Sequence, residues 1–242
     1  MSYLQAVKEY LFCALDFKDI EITESFLDKV AEQIGGIKIG LEFFLANGKQ
    51  GVKKLKKFKI PIFLDLKLHD IPNTVKNSIQ SIMDLEPEYL SVHISGGQKM
   101  LEEIERSNLT KIIGVTLLTS LDEADLNQQG FKISSREYVL KMIEIAKKTK
   151  LDGVVSSPEE IPFIRKKTTN NFIIISPGIR LMDDSYNDQK RVMGPGEAVI
   201  NGATKLVIGR SITKSKSPVE TIKKIQLDIL KKISEKNEKI KN

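Results

Sequence analysis

Eight short apolar runs set the frame for this chain. They cover residues 11–17, 36–40, 60–67, 89–95, 111–118, 153–157, 172–179 and 205–211. Each is rich in Ile, Val, Leu or Phe, as strands buried on both faces of a parallel sheet are. Longer amphipathic stretches lie between them. Residues 24–34 put Phe26, Leu27, Val30, Ala31 and Ile34 on one stripe. Residues 136–148 do so with Val139, Leu140, Ile143 and Ala146, and residues 221–233 with Ile222, Ile225, Ile229 and Ile233. Those spacings are helical. Eight strand–helix units in 242 residues predict an α/β chain folded as a (β/α)8 TIM barrel, a fold of about 250 residues. A doubly wound open sheet is the rival. Its dinucleotide-binding form carries a Gly-rich turn after the first strand, where this chain has Leu15-Asp16-Phe17-Lys18. No Pro/Gly/Ser linker interrupts the pattern, so residues 1–242 read as one domain with a Lys-rich helix or tail from about residue 218.

Composition excludes several functions. No run approaches the ~18 apolar residues of a membrane span. The first residues, MSYLQAVKEY, lack a basic segment followed by an apolar one, so no secretory signal is expected. Cys13 has no second cysteine to pair with, and His69 and His93 are too few for a three-histidine zinc site. The expected setting is reducing and cytoplasmic. Lys and Arg number 38 against 32 Asp and Glu, a net charge of +6. Such a chain suits nucleic acid, anionic lipid or small phosphorylated substrates. The lysine clusters at 53–59 and 223–241 fall on helical periods and read as solvated faces. The second lacks the interleaved aromatics of a single-strand-binding surface.

In a parallel barrel the reactive groups sit at the C-terminal ends of the strands. There the runs offer Asp16, Lys38, Asp65-Leu66-Lys67-Leu68-His69-Asp70, Thr119-Ser120, Pro177-Gly178-Ile179-Arg180 and Gly209-Arg210. Residues two apart on a strand share a face, which puts Asp65 beside Lys67. Charges there are costly unless paired or functional. With Lys38 and Asp70 added, four alternating charges converge on one mouth, as in a preorganised electrostatic site. A structural ion pair is the plainer reading of Asp65 and Lys67 taken alone. Gly209-Arg210 suits a phosphate, which such barrels bind after strands seven and eight, and equally an arginine salt-bridged at a helix start. The polar loop 180–191, carrying Arg180 and Gln189, reads as a lid over that anion. His69 reads as a packing or loop residue, His93 as a satisfied core histidine whose strand-end place leaves a site role open, and Cys13 as a small buried hydrophobe.

The stretch Asp65-Leu66-Lys67-Leu68-His69-Asp70-Ile71-Pro72-Asn73-Thr74 resembles the signature of the orotidine 5′-phosphate decarboxylase family. Leu15-Asp16, Lys38-Ile39-Gly40, Val115 to Ser120, Ser176 to Arg180, Asp188 to Arg191 and Val207 to Arg210 are similar to further family stretches, in the same order. The likeness covers roughly residues 11–222. Ser176 and Ser211 stand where the family often has Thr and Pro, departures expected to alter local rigidity only.

The resemblance implies decarboxylation of orotidine 5′-phosphate to UMP and CO2, in pyrimidine biosynthesis, with no cofactor and no metal. It makes Lys67 the donor of the proton to C6 and places Asp65 near the departing carboxylate. Lys38 would hold Asp65 and a ribose hydroxyl, and Asp16 would accept from the ribose. Thr119 or Ser120 would read the pyrimidine amide edge. Pro177, Arg180, Gln189, Gly209 and Arg210 would line the 5′-phosphate end. It also implies a homodimer in which Asp70 and Thr74 reach the partner's site, with no nucleic-acid or membrane partner. Two other readings stand beside it. One is a phosphosugar decarboxylase or aldolase holding Mg²⁺ through carboxylates such as Glu42 and Asp65. The other is a basic RNA-binding module with steep salt dependence.

Overall fold

The computed structural model describes residues 3–180 and 193–241. Eight strands form a closed parallel barrel in chain order. They are β1 (Leu11–Leu15), β2 (Gly36–Gly40), β3 (Ile62–Leu68), β4 (Tyr89–His93), β5 (Lys111–Val115), β6 (Gly153–Val155), β7 (Ile173–Ser176) and β8 (Lys205–Ile208). β8 returns to β1 through Leu11 opposite Leu206 and Phe12 opposite Val207, which closes the ring. Every apolar run of the sequence coincides with one strand, β3 alone reaching a residue past its run. Most runs overshoot at the C-terminal end: Phe17, Leu118 and Ile179 belong to loops.

Strand alternation sorts the side chains into two layers. Leu11, Cys13 and Leu15 of β1, Ile37 and Ile39 of β2, and Leu64 of β3 face outward and pack in the large core shared with the helices. Phe12, Phe63, Tyr89, Ile113, Val155 and Ile175 form a separate inner cluster. Its centre is aromatic. The ring centroids of Phe12 and Tyr89 lie 5.6 Å apart, and those of Phe63 and Tyr89 lie 6.1 Å apart with the rings at 90°. Such edge-to-face pairs add to the roughly 1.5–3 kcal/mol gained by burying each large apolar side chain. Gly36 makes room for this packing, because a Cβ there would fall 2.4 Å from the Phe12 ring. Below the rings, the Lys205 ammonium sits 5.5 Å from the Phe12 centroid and the Lys111 ammonium 6.0 Å from that of Tyr89. The inner barrel is thus packed shut at its N-terminal end.

The helices obey local rules. Asp19 caps the helix Ile20–Val30 by accepting from the Glu21 and Ile22 amides, so that helix starts before the apolar stripe that announced it. Ser134 caps Ser135–Lys148 in the same way. Pro72 occupies the first turn of Pro72–Ile82, where its missing N–H costs nothing. The Lys-rich end forms one long helix, Pro218–Lys241. Ile222, Ile225 and Ile229 on it are fully buried. Its Asp228 carboxylate accepts from the Gly196 amide at 2.8 Å, and its Gln226 donates to the Gln33 carbonyl at 2.8 Å. The lysines of the first cluster also work locally. Lys53 pairs with Asp84, Lys56 with Glu86 and Lys57 with Glu24.

Candidate active site

Above the aromatic layer the barrel opens into a cavity of about 310 Å³. Its polar lining is Asp16, Lys38, Asp65, Lys67, Thr119, Arg180 and Arg210. Ala14, Phe63, Val115, Val155 and Val207 supply an apolar floor and wall. The ends of β1, β2 and β3 supply Asp16, Lys38, Asp65 and Lys67, and the segments at the ends of β7 and β8 supply Arg180 and Arg210 with Pro177, Gly178 and Gly209.

The charges come as two pairs. Lys38 is almost wholly buried, and its ammonium lies 3.0 Å from Asp16 Oδ1. Gly40 lies two residues further along β2, and a Cβ there would come within 2.8 Å of that ammonium. Asp65 is 8% exposed, so its charge needs compensation. Its Oδ2 accepts from the Lys67 ammonium at 2.6 Å and its Oδ1 from the Ser91 hydroxyl at 2.9 Å. The Lys67 amide in turn donates to Ser91 Oγ at 2.8 Å.

β3 is irregular at this point. Leu64 pairs with Leu90 and Leu68 with Val92, so four residue steps on β3 oppose two on β4. Lys67 sits in the left-handed region, at φ 49°. That conformation costs a non-glycine residue roughly 1–2 kcal/mol. Bulges of this kind re-aim side chains beside functional sites.

The structure brings Asp65 and Lys67 together, as expected, though on a stretch of β3 that is not a regular pleat. It corrects two other expectations. Lys38 is paired with Asp16 rather than with Asp65, whose two oxygens are engaged by Lys67 and Ser91. Asp70 does not join the other charges within one chain. It is exposed, and its carboxylate accepts from the adjacent Ile71 amide at 2.7 Å. Thr74, on the first turn of the next helix, is exposed and outside the cavity, as is Ser120. Gln189 and most of the expected lid, residues 181–192, lie outside the described residues. Arg180, at the edge of that segment, has its guanidinium 3.5 Å from Ser211 Oγ. Ser176, the other departure from the family pattern, is buried and donates to the Ser156 carbonyl at 3.0 Å.

Ser91 is the residue that sequence reasoning missed. Its signal is present: a hydroxyl two residues beyond Tyr89 falls on the inward phase of β4, next to the charged end of β3. His93 follows two residues later, with its ring centroid 5.3 Å from that of His69. Burial, then the neighbouring His69 and Lys67, push His93 down to about 4. Glu42, the alternative metal ligand, is exposed and lies 3.9 Å from the Lys18 ammonium, away from the cavity. Among the described residues, no three His, Cys, Asp or Glu side chains group to hold a metal ion.

Comparison with known proteins matches residues 9–225 to the model of the orotidine 5′-phosphate decarboxylase / HUMPS family. The chain belongs to this family. Among its relatives, orotidine 5′-phosphate decarboxylase of Erythrobacter litoralis is 43% identical over 218 residues, covering 89% of this chain and 97% of that protein. The enzyme of that name from Fusobacterium nucleatum is 42% identical over 226 residues, 91% of this chain and 95% of that one. In structure, the family member from Lactobacillus acidophilus, orotidine 5′-phosphate decarboxylase, superposes with a TM-score of 0.78 at 30% identity, over 90% of this chain and 98% of that one. The family's barrel is thus the fold described above.

Proposed function

We propose that this protein is a carboxy-lyase that converts orotidine 5′-phosphate to UMP and CO2 without a cofactor, in pyrimidine biosynthesis. The observation that carries the reading is the ion pair of buried Asp65 with half-buried Lys67, at 2.6 Å, in a cavity that also holds Arg180 and Arg210. The relatives of that name support it.

In this reading the bond from C6 to the carboxylate breaks and its electron pair stays on C6. No adjacent carbonyl delocalises that charge, so fixed protein charges must stabilise it. Lys67 faces C6 and passes a proton from its ammonium to the carbon; water later restores the proton. Asp65 keeps the ammonium in place. Two unit charges 4 Å apart at an effective dielectric of ~20 interact by about 4 kcal/mol, enough to hold a cation in a partly dry site. Asp65 also lies near the departing carboxylate, so repulsion falls as neutral CO2 forms. Lys38 and Asp16 take the ribose hydroxyls. Thr119, which lines the cavity where Ser120 does not, reads the amide edge of the pyrimidine. Arg180, Gln189 and Arg210 bind the 5′-phosphate, beside Pro177 and Gly209. The phosphate is remote from C6, and its binding energy is available to close the loop over the ring.

The reading includes a cytoplasmic homodimer with shared sites, Asp70 and Thr74 crossing to the partner. Their exposure outside their own cavity supports this, as does Ile71 between them, an apolar side chain 66% exposed. Among the described residues, no helix is long and apolar enough to cross a membrane.

The test is a spectrophotometric assay with orotidine 5′-phosphate. Turnover is expected with and without a chelator, and Lys67→Ala is expected to abolish it with the circular dichroism unchanged. No turnover by the wild type, or near-normal kcat in the variant, overturns the reading. Loss of turnover on chelation returns it to the metal-using alternative.

A further inference from the structure

We infer that Ser91 is a positioning residue for the decarboxylation, holding both ends of Lys67 through one hydroxyl. The inference rests on the reading of Lys67 given above.

The hydroxyl closes a ring of hydrogen bonds. The Lys67 amide donates to Ser91 Oγ at 2.8 Å, Ser91 donates its proton to Asp65 Oδ1 at 2.9 Å, and Asp65 Oδ2 accepts from the Lys67 ammonium at 2.6 Å. A hydroxyl has one proton and two lone pairs. Accepting from Lys67 therefore leaves its single proton for Asp65. The ring fixes the main chain of Lys67, the orientation of the Asp65 carboxylate and the ammonium together. Ser91 is fully buried, so water does not stand in for it.

Its place on β4 explains why it has this task. Between Leu90 and Val92, Ser91 alone opposes the extra residues of β3. The left-handed turn at Lys67 takes its N–H out of the strand ladder, and a buried N–H needs an acceptor. The Ser91 side chain provides one where the backbone of β4 does not. Without it the amide of Lys67 and one oxygen of Asp65 lose their partners, and the bulge is free to relax toward a regular strand. The ammonium would then be displaced from C6. Ser91 is absent from the lining of the cavity, so its removal leaves the ribose and phosphate contacts in place.

The test compares Ser91→Ala, Ser91→Thr and Ser91→Val. Thr and Val have the same shape and differ in the hydroxyl, so packing affects both equally. Calorimetric titration with UMP counts the sites that remain intact. We expect kcat to fall about 10- to 100-fold in the Ala and Val variants, the scale of a displacement near 1 Å. KM, UMP affinity and UMP stoichiometry should stay near wild type, and the Thr variant should recover most of the loss. Equal kcat in the Thr and Val variants overturns the inference, and so does a kcat close to wild type in Ser91→Ala. A loss of kcat matched by an equal loss of UMP sites also overturns it, because Ser91 would then serve only the fold. Wild-type turnover, measured alongside, reports on the underlying reading separately.

Discussion

His93 shows how the site loads its neighbours. Its imidazole is half-buried at the end of β4, facing His69 and within the field of Lys67 and Asp65. A folded value near 4 against 6.5 for the free side chain means that the unfolded chain binds the extra proton first. Stability is therefore complete above pH 6.5 and falls as the pH drops from there toward 4. The ring is partly solvated, so the loss should be about 1 kcal/mol once screening is counted. Thermal unfolding of the wild type and of His93→Asn between pH 7 and pH 4 checks this. The wild type should lose more of its Tm than the variant, and parallel curves would refute the assignment. The charged positions Asp16, Lys38, Asp65 and Lys67 were legible in the sequence because charge at the end of an apolar strand is conspicuous. Ser91 was not, because a serine within an apolar run carries no such contrast. The left-handed backbone at Lys67 leaves no mark in composition either.

At the level of elements, period and spacing were enough to place all eight strands, but not their ends. The runs at 11–17 and 111–118 continue apolar past the last ladder bond, because Phe17 and Leu118 pack in loops. The helix Ile20–Val30 begins at its Asp19 cap, a signal distinct from the stripe. Inside the barrel Gly36 of β2 packs tightly on Phe12 of β1, where a Cβ would fall 2.4 Å from the ring. Gly36→Val should therefore destabilise by about 1–3 kcal/mol through overpacking. Urea denaturation measures it; an unchanged midpoint would show that the Phe12 ring yields freely. The same strand carries Lys38, so a shifted β2 should also raise the KM for orotidine 5′-phosphate.

For the molecule as a whole, the decisive question is whether one chain completes its own site. Asp70 and Thr74 are exposed and do not line their own cavity, and the proposed dimer brings them to the partner's. Mixing inactive Lys67→Ala with inactive Asp70→Ala gives a direct check. Random exchange in a two-fold dimer makes half of the dimers mixed, and each of these has one site with both native residues. About a quarter of wild-type activity should return after exchange. No recovery, with mixed dimers demonstrated by mass, would show that each chain works alone. The sequence reached this arrangement only through family likeness, since no spacing rule tells which chain a side chain serves.

The packed aromatic layer, with Lys111 and Lys205 beneath it, has a consequence for traffic. The barrel is a cup rather than a tube. Nucleotide entry and the exit of gas must share the rim where Arg180 and Arg210 stand, so a closed rim would detain both products at once.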